Sequence, residues 1–183
     1  MGGKWLLPLT ILLLLSGCAG SKESERFALW QEQLTSAREI SFTGEITGTW
    51  DEGAAVYTAQ FRRAGERTDV TVTAPETISG VTFSYTGGGR TVSFQGVRME
   101  LSPGREGELP PCDAGELLLD TLSEGYAVNF GTAGDHLCTQ IQGPDGISLR
   151  LWRTQDDVPV YAELGRGEDT ELILRLSDWE IKE

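Results

Sequence analysis

Apolar and polar residues alternate with a period of two along most of this sequence. In residues 40–50 the apolar positions include Phe42 and Ile46, and the positions between them hold residues such as Thr43 and Glu45. Neighbouring side chains of a β-strand point to opposite faces of the sheet, so this run predicts a strand buried on one face. A turn at 51–53 and a second alternating run over 57–61 predict a hairpin.

The alternation returns in the rest of the chain. Four more strands before residue 102 are marked by Val70, Val72 and Ala74, by Val81, Phe83 and Tyr85, by Val92 and Phe94, and by Val97, Met99 and Leu101. Five later runs cover residues 126–130, 137–141, 147–152, 158–164 and 171–181. Proline and glycine residues separate these runs, as expected of turns.

Two segments have a helical spacing instead. The first has an apolar stripe of Phe27, Trp30, Leu34 and Ala37. It predicts an amphipathic helix of about fourteen residues that starts at Glu25, with Ser24 as its N-cap. In the second segment, Asp113 and Glu116 have the spacing of a capping box, and the helix is expected to end near Gly125. Its apolar side consists of Leu118, Leu119 and Leu122.

These elements predict a mainly β (α+β) fold. About eleven strands, mostly adjacent and antiparallel, form a large curved antiparallel sheet or a half-open β-barrel. One face of this sheet is too apolar to remain bare, and the two helices are expected to cover it as a lid and a plug. Gly44 and Gly48 replace side chains on the apolar face of the first strand, which indicates either open space or strand curvature.

The N-terminus has the profile of a signal peptide. A single positive charge, Lys4, precedes an apolar run over residues 5–15 that is about half the ~20 residues needed to cross a bilayer. Residues 15–18, Leu-Ser-Gly-Cys, resemble the bacterial lipobox, which implies cleavage ahead of Cys18 and acyl chains such as palmitate on that residue. We therefore expect a lipid anchor at Cys18, on the extracytoplasmic side of a cell membrane, or on the outer membrane in a Gram-negative source.

The expected organisation is a signal peptide over residues 1–17, a lipidated tether over 18–24 and a single β domain over 25–183. The chain has 15 basic and 28 acidic residues and a formal net charge of −13. Such a surface repels nucleic acid, which is therefore excluded as a partner.

The sequence shows no pattern typical of an active site. The single histidine, His136, falls in an expected turn, and the three lysines do not follow a glycine-rich phosphate loop. Acidic pairs are numerous but fall in turns, and none has the spacing of a calcium loop. We therefore predict a protein that is not an enzyme and has no metal or cofactor.

Two cysteines remain once Cys18 carries the anchor. Cys112 and Cys138 would lie in a compartment where disulfides form. The sequence is compatible with a bridge between them and also with two small buried thiols.

The order of elements resembles the LolA/LolB lipoprotein-carrier superfamily and its lipid-binding lipoprotein relatives. Residues 61–94 carry the closest local likeness: a strand with arginines, a strand ending in a proline, and a strand leading to a glycine turn. The resemblance implies an unclosed β-barrel whose concave face, under helical lids, holds acyl chains. The inward positions that would line this ligand site are Phe42, Trp50, Tyr57, Phe83 and Met99. The same positions would form ordinary core in a protein without a ligand.

Two functional hypotheses follow. In the first, the protein is an anchored binding protein that holds a lipid or another apolar ligand in the concave face. In the second, it is an anchored interaction domain of the cell envelope, with a filled core and a protein partner. They differ in whether the concave face leaves a pocket of about 300 Å³ or more.

Overall fold

The structure, a computed structural model, describes residues 18–50, 53–87, 89–102, 109–167 and 169–183. The expected signal peptide, most of the turn at 51–53 and the middle of the loop at 102–111 lie outside these residues. The helices are α1 (Cys18–Ser36) and α2 (Ala114–Glu124). The strands are β1 (Glu39–Trp50), β2 (Gly53–Ala64), β3 (Arg67–Ala74), β4 (Thr82–Thr86), β5 (Gly89–Phe94), β6 (Val97–Leu101), β7 (Tyr126–Ala133), β8 (His136–Gln142), β9 (Ile147–Arg153), β10 (Pro159–Arg166) and β11 (Asp169–Lys182).

The eleven strands form one antiparallel, unclosed sheet, which confirms the predicted fold class. Their order is β6-β5-β4-β3-β2-β1-β11-β10-β9-β8-β7. Strands that follow each other in sequence therefore pair, apart from β6 and β7, which lie at opposite edges, and β1 pairs with β11 in the middle. Such a meander needs only short connections within each half of the sheet. The edge strands are β6 and β7.

Alternation decides which side chains face the core. In β9 the residues at 147, 149, 151 and 153 are buried, and those between them are not. The same pattern in β1 buries Phe42 and Ile46 and leaves Thr43 and Glu45 half-buried on the opposite face. We call the face that the helices cover the inner face and the opposite one the outer face.

Helix α1 is longer than the sequence predicted. It begins at Cys18 and not at Glu25, so residues 18–24, expected to be a tether, are helical. The apolar stripe indicates only where a helix is buried, and residues such as Lys22 and Glu23 also allow a helix to continue beyond its buried part. Phe27, Trp30 and Leu34 are buried, as the stripe predicted.

Helix α2 has the predicted position, but its predicted capping box is wrong. Asp113 precedes the helix and makes no side-chain hydrogen bond to its first turn. Both Asp113 and Glu116 instead bind side chains of the sheet, because an arginine offers a carboxylate a stronger, charge-assisted hydrogen bond than a backbone N–H group does.

Both helices lie on the inner face. Helix α2 contacts β8 and β9 as well as β2, and α1 packs against α2 and β7. No helix among the described residues is long and apolar enough to cross a membrane.

Candidate functional site

One row of apolar side chains runs across six strands of the inner face. Each residue in the row pairs directly with the next, and the members are Phe42, Phe61, Val70, Phe83, Val92 and Met99. Directly paired residues of an antiparallel sheet lie on the same face, so the row is continuous from the middle of the sheet to its edge.

Burial falls steadily along this row. Phe42, Phe61 and Val70 are buried, Phe83 and Val92 are half-buried, and Met99 is 59% exposed. The neighbouring pair on β5 and β6, Phe94 and Val97, is 38% and 61% exposed. We call the inward apolar side chains of β4–β6 the open flank: Phe83, Val92, Phe94, Val97 and Met99. Exposed apolar side chains grouped on one surface are typical of a binding site.

The centre of the inner face is filled. The Phe61 ring stacks on Phe42, with 4.6 Å between ring centroids, and Phe42 stacks in turn on Trp179. A Cβ atom on Gly44 would lie 3.0 Å from the Phe61 ring, and one on Gly115 of α2 would lie 2.0 Å from it. Gly44 therefore makes room for an aromatic ring of the core and not for a ligand.

Polar contacts hold the start of α2 beside the open flank. The Tyr57 hydroxyl donates a hydrogen bond to the Pro111 carbonyl oxygen. The Tyr85 hydroxyl lies 2.5 Å from the Cys112 carbonyl oxygen, and Arg90 Nη1 lies 2.5 Å from Asp113 Oδ2. Burial raises the pKa of both tyrosines, so both hydroxyls stay protonated as donors.

A second polar contact holds the middle of α2. Arg63 of β2 lies at an inward position, where its Nη2 atom is 2.9 Å from Glu116 Oε2 and 2.6 Å from Asp120 Oδ1. Its Nε atom donates to the Thr68 hydroxyl. The guanidinium group thus connects α2 to β2 and β3 at the border between the filled centre and the open flank.

Helix α1 is held by a buried arginine. The Arg153 side chain is fully buried, with its guanidinium carbon 5.3 Å from the Phe27 ring centroid and 4.9 Å from that of Trp30. Its Nη1 atom lies 2.5 Å from Asp157 Oδ1, and its Nη2 atom donates to Thr139. Burial lowers the pKa of Arg153, opposed by the Asp157 carboxylate. The Asp157 carboxylate also binds Arg26 of α1 at 2.8 Å.

Helix α1 also caps α2. The Gln31 Nε2 atom donates to the Leu122 and Gly125 carbonyl oxygens at 2.9 and 2.8 Å. These carbonyls belong to the end of α2, where backbone acceptors have no partner within the helix. The two helices are therefore joined to each other as well as to the sheet.

Three hollows are formed by described residues, and none of them is lined by a side chain of the open flank. Their volumes are about 300, 290 and 310 Å³. The first is lined by Arg98 and Glu100, the second by Arg150 and Glu163, and the third by Ser41 and Arg62 among others. These linings are largely polar, so the hollows do not match the expected site for an acyl chain.

Cys112 and Cys138 are free thiols in the structure, as in the second of the two alternatives that the sequence left open. Cys112 lies on the inner-face side beside Tyr85, whereas Cys138 alternates with the buried Leu137 and Thr139 and so points to the outer face. The sheet separates them. Burial, assisted by the Asp113 carboxylate, raises the pKa of the Cys112 thiol to about 12, which keeps it protonated and unreactive.

The described residues contain no group of three or more His, Cys, Asp or Glu side chains placed to hold a metal ion. His136 is half-buried at the start of β8, directly after the turn at 134–135.

The similarity of this chain to known proteins lies in its structure and not in its sequence. No protein-family model and no curated protein sequence matches this chain. A DUF1329 family protein from Desulfovibrio piger superposes with a TM-score of 0.50 and 9% identity, over 87% of this chain and 92% of that one. The two chains share the same overall fold. At this identity the likeness concerns the fold alone.

Two further solved structures are similar to this chain over most of its length. A LolA superfamily protein from Nitrosomonas europaea has a TM-score of 0.46 and 14% identity, over 87% of this chain and 94% of that one. An outer membrane lipoprotein-sorting protein domain from Vibrio parahaemolyticus has a TM-score of 0.47 and 10% identity, over 88% and 93% of the two chains.

The sheet places four of the five expected ligand residues in three environments. Phe42 is core, and Tyr57 is half-buried with its hydroxyl bound to the segment before α2. Phe83 and Met99 lie on the open flank, where Met99 is too exposed to line an enclosed cavity. Trp50 pairs with Gly53 at the end of β1, and its side chain lies outside the described part of the structure.

The sequence reasoning missed the buried arginine. Arg153 follows Leu149 and Leu151 at the same inward alternation, and this was the signal that could have revealed it. Its partner Asp157 is four residues later, in a tight turn with a positive φ of 63°. A charged residue at an inward position indicates a buried ion pair when a carboxylate follows closely in the next turn.

Proposed function

We propose that this protein is a bacterial lipoprotein, anchored to a membrane through acyl chains on Cys18, that binds a lipid or another apolar ligand at the open flank and catalyses no reaction. It would act on the extracytoplasmic side of the membrane. The observation that carries the proposal is the apolar row that begins in the core at Phe42 and continues without interruption to the exposed Met99.

The open flank suits an elongated apolar ligand. Its side chains occupy three neighbouring strands spaced about 4.8 Å apart, so a chain of methylene groups lying across them would contact several at once. Each buried methylene contributes about 0.8 kcal/mol, which makes the length of the contact the main source of affinity. Arg90 and Arg63, already paired with carboxylates of α2 and its start, border this surface and give it a polar rim.

The lipid anchor is supported by residues 15–18 and is tested by changing Cys18 to serine. Serine has no thiol to receive a diacylglyceryl group, so we expect a precursor that is neither lipid-modified nor cleaved ahead of position 18. Electrophoretic mobility and mass spectrometry of the membrane fraction measure both results. Normal maturation of the Cys18→Ser protein would contradict the proposed anchor.

The ligand site is tested by changing Val92 to aspartate. We expect binding of a fluorescent fatty-acyl probe to weaken by at least about tenfold, because a carboxylate in the middle of the row opposes apolar contact. Thr91→Asp is the matched control, since Thr91 is the adjacent residue of the same strand and points to the outer face. A probe titration of each protein beside a thermal melt separates lost binding from lost folding.

The absence of probe binding by the unchanged protein would contradict the ligand proposal, whatever the variants do. An equal loss of probe binding in the Val92→Asp and Thr91→Asp proteins would indicate that the ligand site lies elsewhere.

A second candidate, an interaction domain for an envelope protein, is favoured by the filled centre of the inner face. Gly115 of α2 packs directly on Phe61. The leucines of the same helix, Leu118, Leu119 and Leu122, are buried. Because the core between α2 and the sheet is filled, the apolar surface that remains accessible is the open flank. An apolar segment of a partner protein could bind there as well as a lipid. Co-purification of the anchored protein, followed by mass spectrometry of both lipids and proteins, distinguishes the two.

A further inference from the structure

The two edges of the sheet differ. At one edge, β7 pairs with β8 through a register shift between Ala127 and Asn129. Such a bulge twists a strand and makes it a poor template for another strand. At the other edge, β6 pairs with β5 without a shift over five consecutive residue pairs. Strand β6 is therefore the regular edge, and no other described strand lies beyond it.

The turn before β6 decides which of its backbone groups are unpaired. Gln95 and Gly96 have φ values of 50° and 83°, as in a two-residue type I′ turn, and Phe94 pairs with Val97 across it. The residues that close such a turn form a hydrogen-bonded pair, and the hydrogen-bonded pairs then alternate. Residues 97, 99 and 101 thus bond to β5. Arg98 and Glu100 direct their N–H and C=O groups outward from the sheet.

The side chains of β6 are complementary to a second copy of the same strand. Its sequence, Val-Arg-Met-Glu-Leu, is apolar at the first, third and fifth positions and has opposite charges at the second and fourth. In an antiparallel pair centred on Met99, Arg98 would face Glu100 of the second copy, and Val97 would face Leu101. Both charged residues are exposed, and neither forms an ion pair within the described part of the chain.

The charges also select this register over its neighbours. A pair centred on Arg98 would place two arginines opposite each other, and one centred on Glu100 would place two glutamates opposite each other. Like charges directly across a ladder are destabilising. Only the register centred on Met99 joins the outward backbone groups of Arg98 to those of Glu100 and also pairs opposite charges.

We propose that two copies of this chain form a dimer by antiparallel pairing of their β6 strands, related by a twofold axis at Met99. The two sheets then continue into each other, and the paired Met99 side chains lie on the same face. The two open flanks consequently become one apolar surface that neither copy provides alone. If both copies carry the proposed anchor, their confinement to one membrane raises their effective concentration.

Cysteine cross-linking in membranes tests the register. The full-length gene carrying Met99→Cys and Cys138→Ser is expressed, and the membranes are treated with oxidised glutathione. Opposite residues of an antiparallel pair have Cβ atoms about 4.5–5.5 Å apart, near the range of a disulfide, so we expect most of the protein as a covalent dimer on a non-reducing gel. Val97→Cys in the same background is the matched control, because Val97 has similar exposure but would lie about 13 Å from its equivalent.

Charge exchange provides an independent test. Arg98→Glu creates two glutamate pairs across the proposed interface, and we expect about tenfold weaker dimerisation. Exchanging both residues, as Arg98→Glu with Glu100→Arg, restores opposite charges and should restore the dimer. Sedimentation velocity of the purified lipoprotein in density-matched detergent measures the mass at physiological ionic strength, where charges beyond about 8 Å are screened.

Equal cross-linking of the Met99→Cys and Val97→Cys proteins, or a monomeric mass for the unchanged protein, would overturn the dimer. Neither result bears on the ligand proposal, because probe binding is measured separately on the unchanged protein, in which Val97 and Met99 of the open flank are intact.

Discussion

Replacing Gly115 with alanine is expected to lower the free energy of unfolding by about 3 kcal/mol. The added Cβ atom would lie 2.0 Å from Cδ1 and 2.1 Å from Cε1 of Phe61. The ring has little room to move aside, because it is buried and stacks on Phe42. Chemical denaturation followed by circular dichroism measures the change.

Gly131→Ala is the control for the Gly115→Ala protein. A Cβ atom on Gly131 of β7 would have no atom within 4 Å, and its φ does not require glycine. We expect the free energy of unfolding of the Gly131→Ala protein to change by no more than about 0.5 kcal/mol. Adding Phe61→Leu to the Gly115→Ala protein should recover part of the loss, since the smaller side chain leaves room for the methyl group. Equal stability of the Gly115→Ala and Gly131→Ala proteins would show that α2 does not rest on Phe61.

Replacing Asp157 with asparagine is expected to lower the free energy of unfolding by about 3 kcal/mol. Asparagine keeps the shape of the side chain and tolerates the positive φ at this position, so the substitution removes mainly the charge. Arg153, fully buried between Phe27 and Trp30, would lose the carboxylate with which it forms its ion pair. Denaturation midpoints measure the loss, and hydrogen exchange in α1 shows whether that helix is released.

Arg153→Met is the informative comparison. It replaces the buried cation with an apolar side chain of similar length, while Asp157 keeps Arg26 as a partner at 2.8 Å. We expect the free energy of unfolding to fall by less than about 1 kcal/mol, because a buried ion pair contributes little relative to good apolar packing. A single unpaired buried charge, by contrast, is strongly unfavourable. If Arg153→Met proved the more damaging change, the contacts of the guanidinium with Phe27 and Trp30 would be the main contribution.

The capping-box prediction shows the limit of local patterns. Asp113 and Glu116 have the spacing of a helix N-terminus, and a helix does start at Ala114. The carboxylates nevertheless bind Arg90 and Arg63, which are distant in sequence. A local rule identifies residues able to cap a helix, but the competing donors arrive only when the chain folds.

Glycine positions show the same limit. The sequence indicated open space or curvature at Gly44, and either meaning was compatible with an apolar face lacking two side chains. In the structure the Phe61 ring occupies this position, and the same ring is why Gly115 has no side chain. One aromatic residue thus accounts for two glycines that lie 71 residues apart in the chain.

The sequence by itself determined the elements and the face that each presents. Alternation with a period of two and stripes with a spacing of three to four depend on backbone geometry within one element, so eleven strands and two helices could be recognised from local pattern. Only the tertiary structure decided which part of the apolar face is covered. Coverage depends on where α1 and α2 pack, through Arg153, Arg63 and Gly115, and these contacts join residues far apart in the chain. For that reason Phe42 and Met99, alike in sequence pattern, are core in one case and exposed surface in the other.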